Sequence, residues 1–156
     1  MMTVVIEARA GQEEALGRTL HSLVGGAVEG VVREVIVAAA ADAGDVAKVA
    51  DHTGCRVAES LAAAVQSAKG DWLLLLEPGA RLLDGWIESA LDHAASGKGP
   101  ARFRSDGSIW RRLAAWPARH RRPFAHGLLI SRRQALATGM PPRTRLKLSA
   151  CITPAL

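Results

Sequence analysis

Hydrophobic residues recur along this chain with two alternating spacings. Short runs rich in β-branched residues or leucine, typical of buried strands, occupy residues 3–6, 31–37, 55–58 and 72–76. Each run precedes a stretch with apolar residues three and four positions apart, typical of an amphipathic helix, at 12–24, around 46–50, at 59–69 and at 83–95. This alternation predicts a parallel sheet covered by helices.

The last third of the chain is less regular. Residues 101–104 and 127–131 are predicted to form strands and 113–116 and 132–138 helical segments, while the tail 140–156 has no clear period. We find no internal repeat and no domain boundary in the sequence. The expected fold class is therefore α/β: one Rossmann-like domain over residues 1–156, with a mostly parallel central sheet flanked by helices.

Charge is unevenly distributed. The chain has 156 residues, of which 49% are hydrophobic, so it can bury a core without disulfides. Residues 1–106 hold all 15 acidic and 10 of the 20 basic residues, a formal charge of −5, whereas residues 107–156 carry +10 and no acidic side chain. Such asymmetry indicates an anionic partner for the basic third, residues 107–156.

Cysteine usage and hydropathy indicate the compartment. Cys55 and Cys151 are far apart in sequence and have no metal-ligating neighbour at short spacing, so free, buried thiols are expected. No apolar run is long enough to cross a bilayer, and the N-terminus lacks a secretory pattern. We therefore expect a cytoplasmic protein, with peripheral attachment to the inner face of a membrane as an alternative.

The stretch 70–86 carries most information about function. An apolar strand, Trp-Leu-Leu-Leu-Leu, ends in Glu77-Pro78-Gly79, and a helix with Trp86 follows. Together with the opening strand and helix at 3–23, the strand at 35–37 and the segment 127–141, this stretch resembles a family 2 glycosyltransferase of the GT-A type. The resemblance implies transfer of a sugar from a nucleotide sugar, with manganese or magnesium held by an Asp-x-Asp motif at the end of that strand.

The positions that the resemblance assigns to the donor differ here from the family pattern. Ala39 stands where an Asp would read the nucleobase, and Asp42 follows a few residues later. By the resemblance, Glu7 and Arg9 lie in the nucleotide-facing loop, and Glu77 is the remaining candidate metal ligand. Arg81 can supply guanidinium charge to the diphosphate in place of a metal. The structural alternatives are that Pro78-Gly79 only forms a turn with Arg81 in solvent, and that Asp42 or Asp45 caps a helix.

A base for the acceptor hydroxyl is the other missing group. The family places an acidic residue late in the domain, but no carboxylate side chain follows Asp106 in this sequence. His126 is the candidate base, since a neutral imidazole accepts a proton near neutral pH, and Asp106 is the alternative. A histidine with a purely structural role in a loop is the simpler interpretation.

Three functions remain open from the sequence. The protein is a metal-independent glycosyltransferase, a non-catalytic relative that binds a nucleotide, a glycan or a protein partner, or a basic adaptor for an anionic membrane or nucleic acid. Arginines interleaved with Trp110 and Trp116 suit a phosphate-bearing acceptor or a lipid headgroup; they are Arg111, Arg112, Arg119, Arg121 and Arg122. Nucleic acid is the least favoured partner because no nucleic-acid-reading motif is present.

Overall fold

A computed structural model describes residues 1–106, 123–138, 142 and 144–155. The strands and helices alternate through the first two thirds, as the hydrophobic pattern predicts. In chain order they are β1 Met2–Ala8, α1 Glu13–Val28, β2 Val32–Ala39, α2 Gly44–His52, β3 Arg56–Ala58, α3 Leu61–Ser67, β4 Trp72–Leu76, β5 Arg81–Leu82, α4 Trp86–Ser96, β6 Ala101–Ser105, β7 Leu128–Ser131, α5 Arg132–Ala137 and β8 Leu146–Thr153.

All the strands belong to one mixed sheet, in the order β3-β2-β1-β4-β7-β6-β8-β5. Strands β3, β2, β1 and β4 are parallel to one another. Strand β7 runs antiparallel to both β4 and β6, and β8 is parallel to β6. The two-residue β5 pairs antiparallel with the end of β8. The α/β class with a mostly parallel sheet flanked by helices is confirmed.

Each face of the sheet has its own hydrophobic core. Residues such as Ile6, Leu74 and Leu76 pack with Leu16 and Trp86 on the side of α1, α2 and α4. On the other side Val5, Leu73 and Leu75 pack with Val65 of α3 and Ala135 of α5. Strand β4 is buried on both faces because it lies inside the sheet with helices over each side, which explains its uninterrupted apolar sequence.

Three local predictions were wrong. Helix α1 does not end at Gly25-Gly26 but continues to Val28. A Cβ at Gly26 would lie 2.6 Å from Trp86 Cζ2, so this glycine allows close packing of α1 against α4. The residue that caps α2 is Ala43, and no side chain forms a capping hydrogen bond there. The tail contains strand β8, in which buried Leu148, Ala150 and Ile152 alternate with more exposed residues.

A partly buried carboxylate ties together strands at the opposite end of the sheet from the predicted site. Glu34 on β2 accepts hydrogen bonds from Arg56 Nη1 (2.7 Å), from the Lys69 N–H (2.7 Å) and from Thr3 Oγ1 (3.0 Å). The Thr3 hydroxyl also accepts the Gly70 N–H at 2.9 Å. Burial raises the pKa of Glu34, but these hydrogen bonds and the Arg56 charge outweigh it, so the pKa is lowered overall.

We expect Glu34→Gln to lower the free energy of unfolding by about 1–3 kcal/mol at pH 7, because a partly buried hydrogen-bond network loses its charge. The folded-state pKa is depressed, so the stabilisation exists above the unfolded-state pKa and disappears as the pH falls through the folded-state value. Urea unfolding at pH 7 and near pH 3 should show the difference between wild type and variant shrinking at acid pH.

The matched control is Glu14→Gln on the exposed face of α1. Glu14 pairs with Arg18 at 3.4 Å, but its side chain is 87% exposed. We expect a change below about 0.5 kcal/mol. A loss at Glu34 no larger than at Glu14, or one that is independent of pH, would contradict the role given to the network.

Candidate active site

The sheet topology brings the predicted site residues to one edge. Strands β1, β2 and β4 are in parallel register, with Ile6 opposite both Val37 and Leu76, so their carboxyl ends lie side by side. Strand β7 begins, and β6 and β8 end, at this same edge because β7 runs antiparallel to β4 and β6. This carboxyl edge holds Glu7, Arg9, Asp42, Glu77, Arg81, Asp106 and His126.

The loop after β1 is held by its own side chains. Gln12 Oε1 accepts the Arg9 N–H at 2.8 Å, and Glu13 Oε1 accepts the Gly11 N–H at 3.1 Å. Arg9 itself is exposed, whereas Glu7 is half-buried on β1, in register with Ala38 of β2. Asp42 is exposed in the turn before α2, which the Ala43 N–H to Ala40 C=O bond of 3.0 Å closes. Arg9 and Asp42 therefore present charge to solvent above adjacent strands.

The Glu77 side chain points into the protein. It is 8% exposed, and its Oε1 accepts the N–H of buried Phe124 at 3.0 Å. Arg102, on β6, is half-buried nearby: burial lowers the pKa of its guanidinium, and the charge of Glu77 offsets part of that effect. The carboxylate at the end of β4 is thus engaged with the segment that leads into β7.

Gly79, the third residue of the turn, also faces inward. Its N–H is directed at α1, where Thr19 Oγ1 (2.9 Å) and the Ala15 C=O (3.1 Å) accept it. The residue has φ +96°, and a Cβ placed there would lie 3.7 Å from Ala155 and 3.9 Å from Ala15 Cβ. A side chain at position 79 would therefore point between α1 and the C-terminal segment.

His126 belongs to a tight turn at residues 123–127. The Gly127 N–H binds the Phe124 C=O at 2.9 Å, and the His126 C=O accepts the Phe103 N–H at 3.2 Å. Arg102 Nη1 donates to the Pro123 C=O. The half-buried His126 ring is consequently carried on a backbone that β4 and β6 both hold.

Asp106 and Arg81 are each adjacent to Thr153 of β8. Asp106 Oδ2 accepts the Thr153 hydroxyl at 3.0 Å, and the Asp106 N–H binds the Ile152 C=O at 3.0 Å. Arg81 is paired with Thr153 across the β5–β8 ladder and is exposed. These two residues therefore lie on either side of Thr153 on the far part of the same edge, and both are exposed.

The residues of this edge do not fit the usual site for a divalent cation. Magnesium and manganese require several oxygen ligands, but Glu77 is engaged internally and Gly79 offers no side chain. No group of three or more His, Cys, Asp or Glu side chains suited to a metal occurs within the described ranges. The assignment of Glu77 as a metal ligand stays a prediction.

Sequence reasoning missed the residues that fix this edge. They are Thr19, Arg102, Phe124, Thr153 and Ala155. Their partners are distant in sequence and involve backbone groups, so hydrophobic periodicity contains no signal for them. The arginine cluster at 111–122 lies outside the residues that the structure describes, so its anion-binding role stays a prediction.

Solved structures with a similar fold are sugar-transferring enzymes. Glucosyl-3-phosphoglycerate synthase from Mycobacterium tuberculosis, in complex with Mn²⁺, UDP and phosphoglyceric acid, has a TM-score of 0.61 and 19% identity over 85% of this chain and 56% of that chain. The same enzyme with Mn²⁺ and UDP-glucose gives 0.65 and 17% over 88% and 58%. Mannosyl-3-phosphoglycerate synthase from Rubrobacter xylanophilus gives 0.61 and 14% over 85% and 53%.

These similarities establish the GT-A glycosyltransferase fold, as the sequence resemblance implied. No protein-family model and no curated protein sequence matches the chain. The chain spans about 53–58% of the length of these enzymes. The similarity therefore establishes the fold, and neither the family nor the activity follows from it. Among the described residues, no helix is long and apolar enough to span a membrane.

The turn that carries His126 leads to a stability prediction. Gly127 has φ +60°, and a Cβ there would lie 3.0 Å from Phe103 Cδ2 and 3.1 Å from Leu76 Cδ2. Gly11 has φ +80° but open space around its Cβ position. Gly11→Ala should cost about 1–2 kcal/mol from backbone strain alone. Gly127→Ala should cost about 1–3 kcal/mol more from overpacking.

Denaturant unfolding of the two variants side by side measures this difference. Both carry the same substitution at a positive φ, so the excess loss at Gly127 reports the packing of the turn against β4 and β6. Equal losses in the two variants would show that the 123–127 turn is loosely packed.

Proposed function

We propose that this chain is a nucleotide-sugar-binding domain of the GT-A type, with the donor at the carboxyl edge of the sheet. The observation that carries this proposal is the convergence of charged side chains from β1, β2, β4, β5 and β6 on that edge. In open α/β sheets, ligands bind outside the carboxyl ends of parallel strands. Enzymes of the same fold bind UDP and UDP-glucose.

The proposed division of roles follows from charge and exposure. Exposed Arg9 and Arg81 neutralise the diphosphate, for which a guanidinium fork is geometrically suited. Asp42 and Glu7, on the neighbouring strands β2 and β1, accept hydrogen bonds from the nucleobase or the ribose. In this proposal protein cations compensate the charge of the diphosphate, whereas the glucosyl-3-phosphoglycerate synthase of the same fold is in complex with Mn²⁺.

Transfer itself requires a base and a leaving group. The acceptor hydroxyl gives its proton to His126 or Asp106 while its oxygen bonds to the anomeric carbon of the sugar. The bond from that carbon to the diphosphate breaks, and the nucleoside diphosphate departs with the electron pair, its charge compensated by Arg9 and Arg81. Neither His126 nor Asp106 occupies the late position at which the family pattern places an acidic base, so we expect slow transfer.

The basic third of the chain indicates a phosphate-bearing acceptor. Residues 107–156 carry ten basic side chains and no acidic one. Enzymes of the same fold bind phosphoglyceric acid beside UDP. We infer that an acceptor with a phosphate group is attracted to this part of the protein. An anionic membrane surface offers the same chemistry and remains the alternative partner.

Nucleotide binding tests the proposed donor site. UDP, GDP, TDP and their glucose conjugates at about 100 times Kd should stabilise the protein by about 2.7 kcal/mol, and EDTA should change this little. Arg9→Ala and Arg81→Ala should each weaken binding by about tenfold, because each removes a charge-assisted contact. Arg33→Ala, an exposed arginine near the start of β2, is the control and should bind normally. A thermal-shift screen followed by calorimetry measures both effects, and no stabilisation by any nucleotide would refute the donor site.

Turnover tests the transferase role separately. Release of UDP from UDP-glucose should be slow, should increase with 3-phosphoglycerate as a phosphate-bearing acceptor, and should fall about 100-fold in His126→Ala. A coupled UDP assay with 3-phosphoglycerate, and with glycerate as the unphosphorylated control, measures each change. Nucleotide binding without turnover would identify a binding domain, whereas full activity in His126→Ala would transfer the base role to Asp106, which Asp106→Asn then tests.

A further inference from the structure

The 123–127 turn is held by charged side chains from two different strands. Glu77, directly after β4, accepts the Phe124 N–H at 3.0 Å. Arg102, on β6, donates through Nη1 to the C=O of the preceding residue, Pro123. Two consecutive residues of this turn are therefore each hydrogen-bonded to a charged side chain, Phe124 to the Glu77 carboxylate and Pro123 to the Arg102 guanidinium.

Burial makes these two charges depend on each other. Glu77 is 8% exposed and Arg102 is half-buried, and a buried charge is costly unless an opposite charge or hydrogen bonds compensate it. The negative charge of Glu77 offsets part of the effect by which burial lowers the pKa of Arg102. Removal of either partner therefore leaves the other in a poorly hydrated place with less compensation.

Gly79, in the turn after β4, also contacts other parts of the protein. The N–H of Gly79 is bound by Thr19 and Ala15 of α1, and the space ahead of its Cβ position is bounded by Ala15 and Ala155. Ala155 is itself buried, and its N–H faces the Ala125 C=O at 3.4 Å. An Asp at position 79 would be strained at φ +96°, and its Cβ would lie in contact with Ala155 and Ala15.

We propose that Glu77 is a positioning residue that, with Arg102, fixes the 123–127 turn and so His126, and that the β4 turn organises no divalent cation. This inference rests on the proposed function in treating the carboxyl edge as the donor site. Glu77, the acidic residue that follows β4, then positions His126 through contacts inside the protein instead of binding a metal. Exposed Arg9 and Arg81 then supply the positive charge for the diphosphate in the proposed donor site.

A double-mutant cycle tests the coupling between the two charges. Glu77→Gln and Arg102→Met should each lower Tm, and the double variant should lose clearly less than the sum of the two single losses. The control cycle combines Glu77→Gln with Lys98→Met, an exposed lysine just before the opposite end of β6, and should be additive. Additive losses in the Glu77–Arg102 cycle would overturn the pairing.

The positioning role has its own readout in the His126 ring. Gln keeps an oxygen that can accept the Phe124 N–H, whereas Ala removes it, so the NMR signals of the His126 ring should move more in Glu77→Ala than in Glu77→Gln. The His21 ring, exposed on α1, should be unchanged in both. An unchanged His126 ring in folded Glu77→Ala would overturn the positioning role.

Manganese alone tests the last part of the proposal. Wild type and Glu77→Gln should both fail to bind Mn²⁺ below millimolar concentration, as measured by electron paramagnetic resonance. The variant Glu77→Asp with Gly79→Asp, which restores Asp-x-Asp in sequence, should also fail to bind Mn²⁺ and should have a lower Tm. Micromolar Mn²⁺ binding by the wild type that Glu77→Gln abolishes, or micromolar binding gained by the Asp-x-Asp variant, would overturn the proposal. None of these measurements uses a nucleotide, so this inference and the proposed function can fail independently.

Discussion

The carboxyl edge of this sheet depends on how the chain leaves β4. A buried carboxylate there must be compensated, and Glu77 is compensated by a backbone N–H of the turn before β7 and by the charge of Arg102 on β6. The same turn in the chain binds α1 through Gly79. Three parts of the fold thus meet at residues 77–79, and this junction holds the turn that carries His126.

This constraint explains how the GT-A fold can be kept while the usual metal ligands are absent. A carboxylate pair that holds a cation needs two acidic side chains directed at the ligand, whereas here Glu77 accepts the Phe124 N–H and Gly79 has no side chain. Charge compensation for a diphosphate is then left to cations elsewhere on the edge. Arg9 and Arg81, which are both exposed, have this role in the proposed donor site.

The two ends of the sheet are stabilised by different means. Glu34 at the opposite end is partly buried, and its charge is balanced by Arg56 and by the Lys69 N–H, which ties the chain entering β4 to β2. Glu77 ties the chain leaving β4 to the turn before β7. Strand β4 is therefore anchored by a carboxylate at each end, and its apolar residues fill both cores between them.

The sequence by itself determined the alternation of strands and helices and the limits of β4 at Trp72–Leu76. These features depend on local hydrophobic periodicity. Only the tertiary structure decided that Glu77 turns inward, that β8 joins β6 and that α1 continues through Gly26. Each depends on a partner far away in sequence, Phe124, Ala101–Ser105 and Trp86 respectively, and local patterns contain no information about such partners.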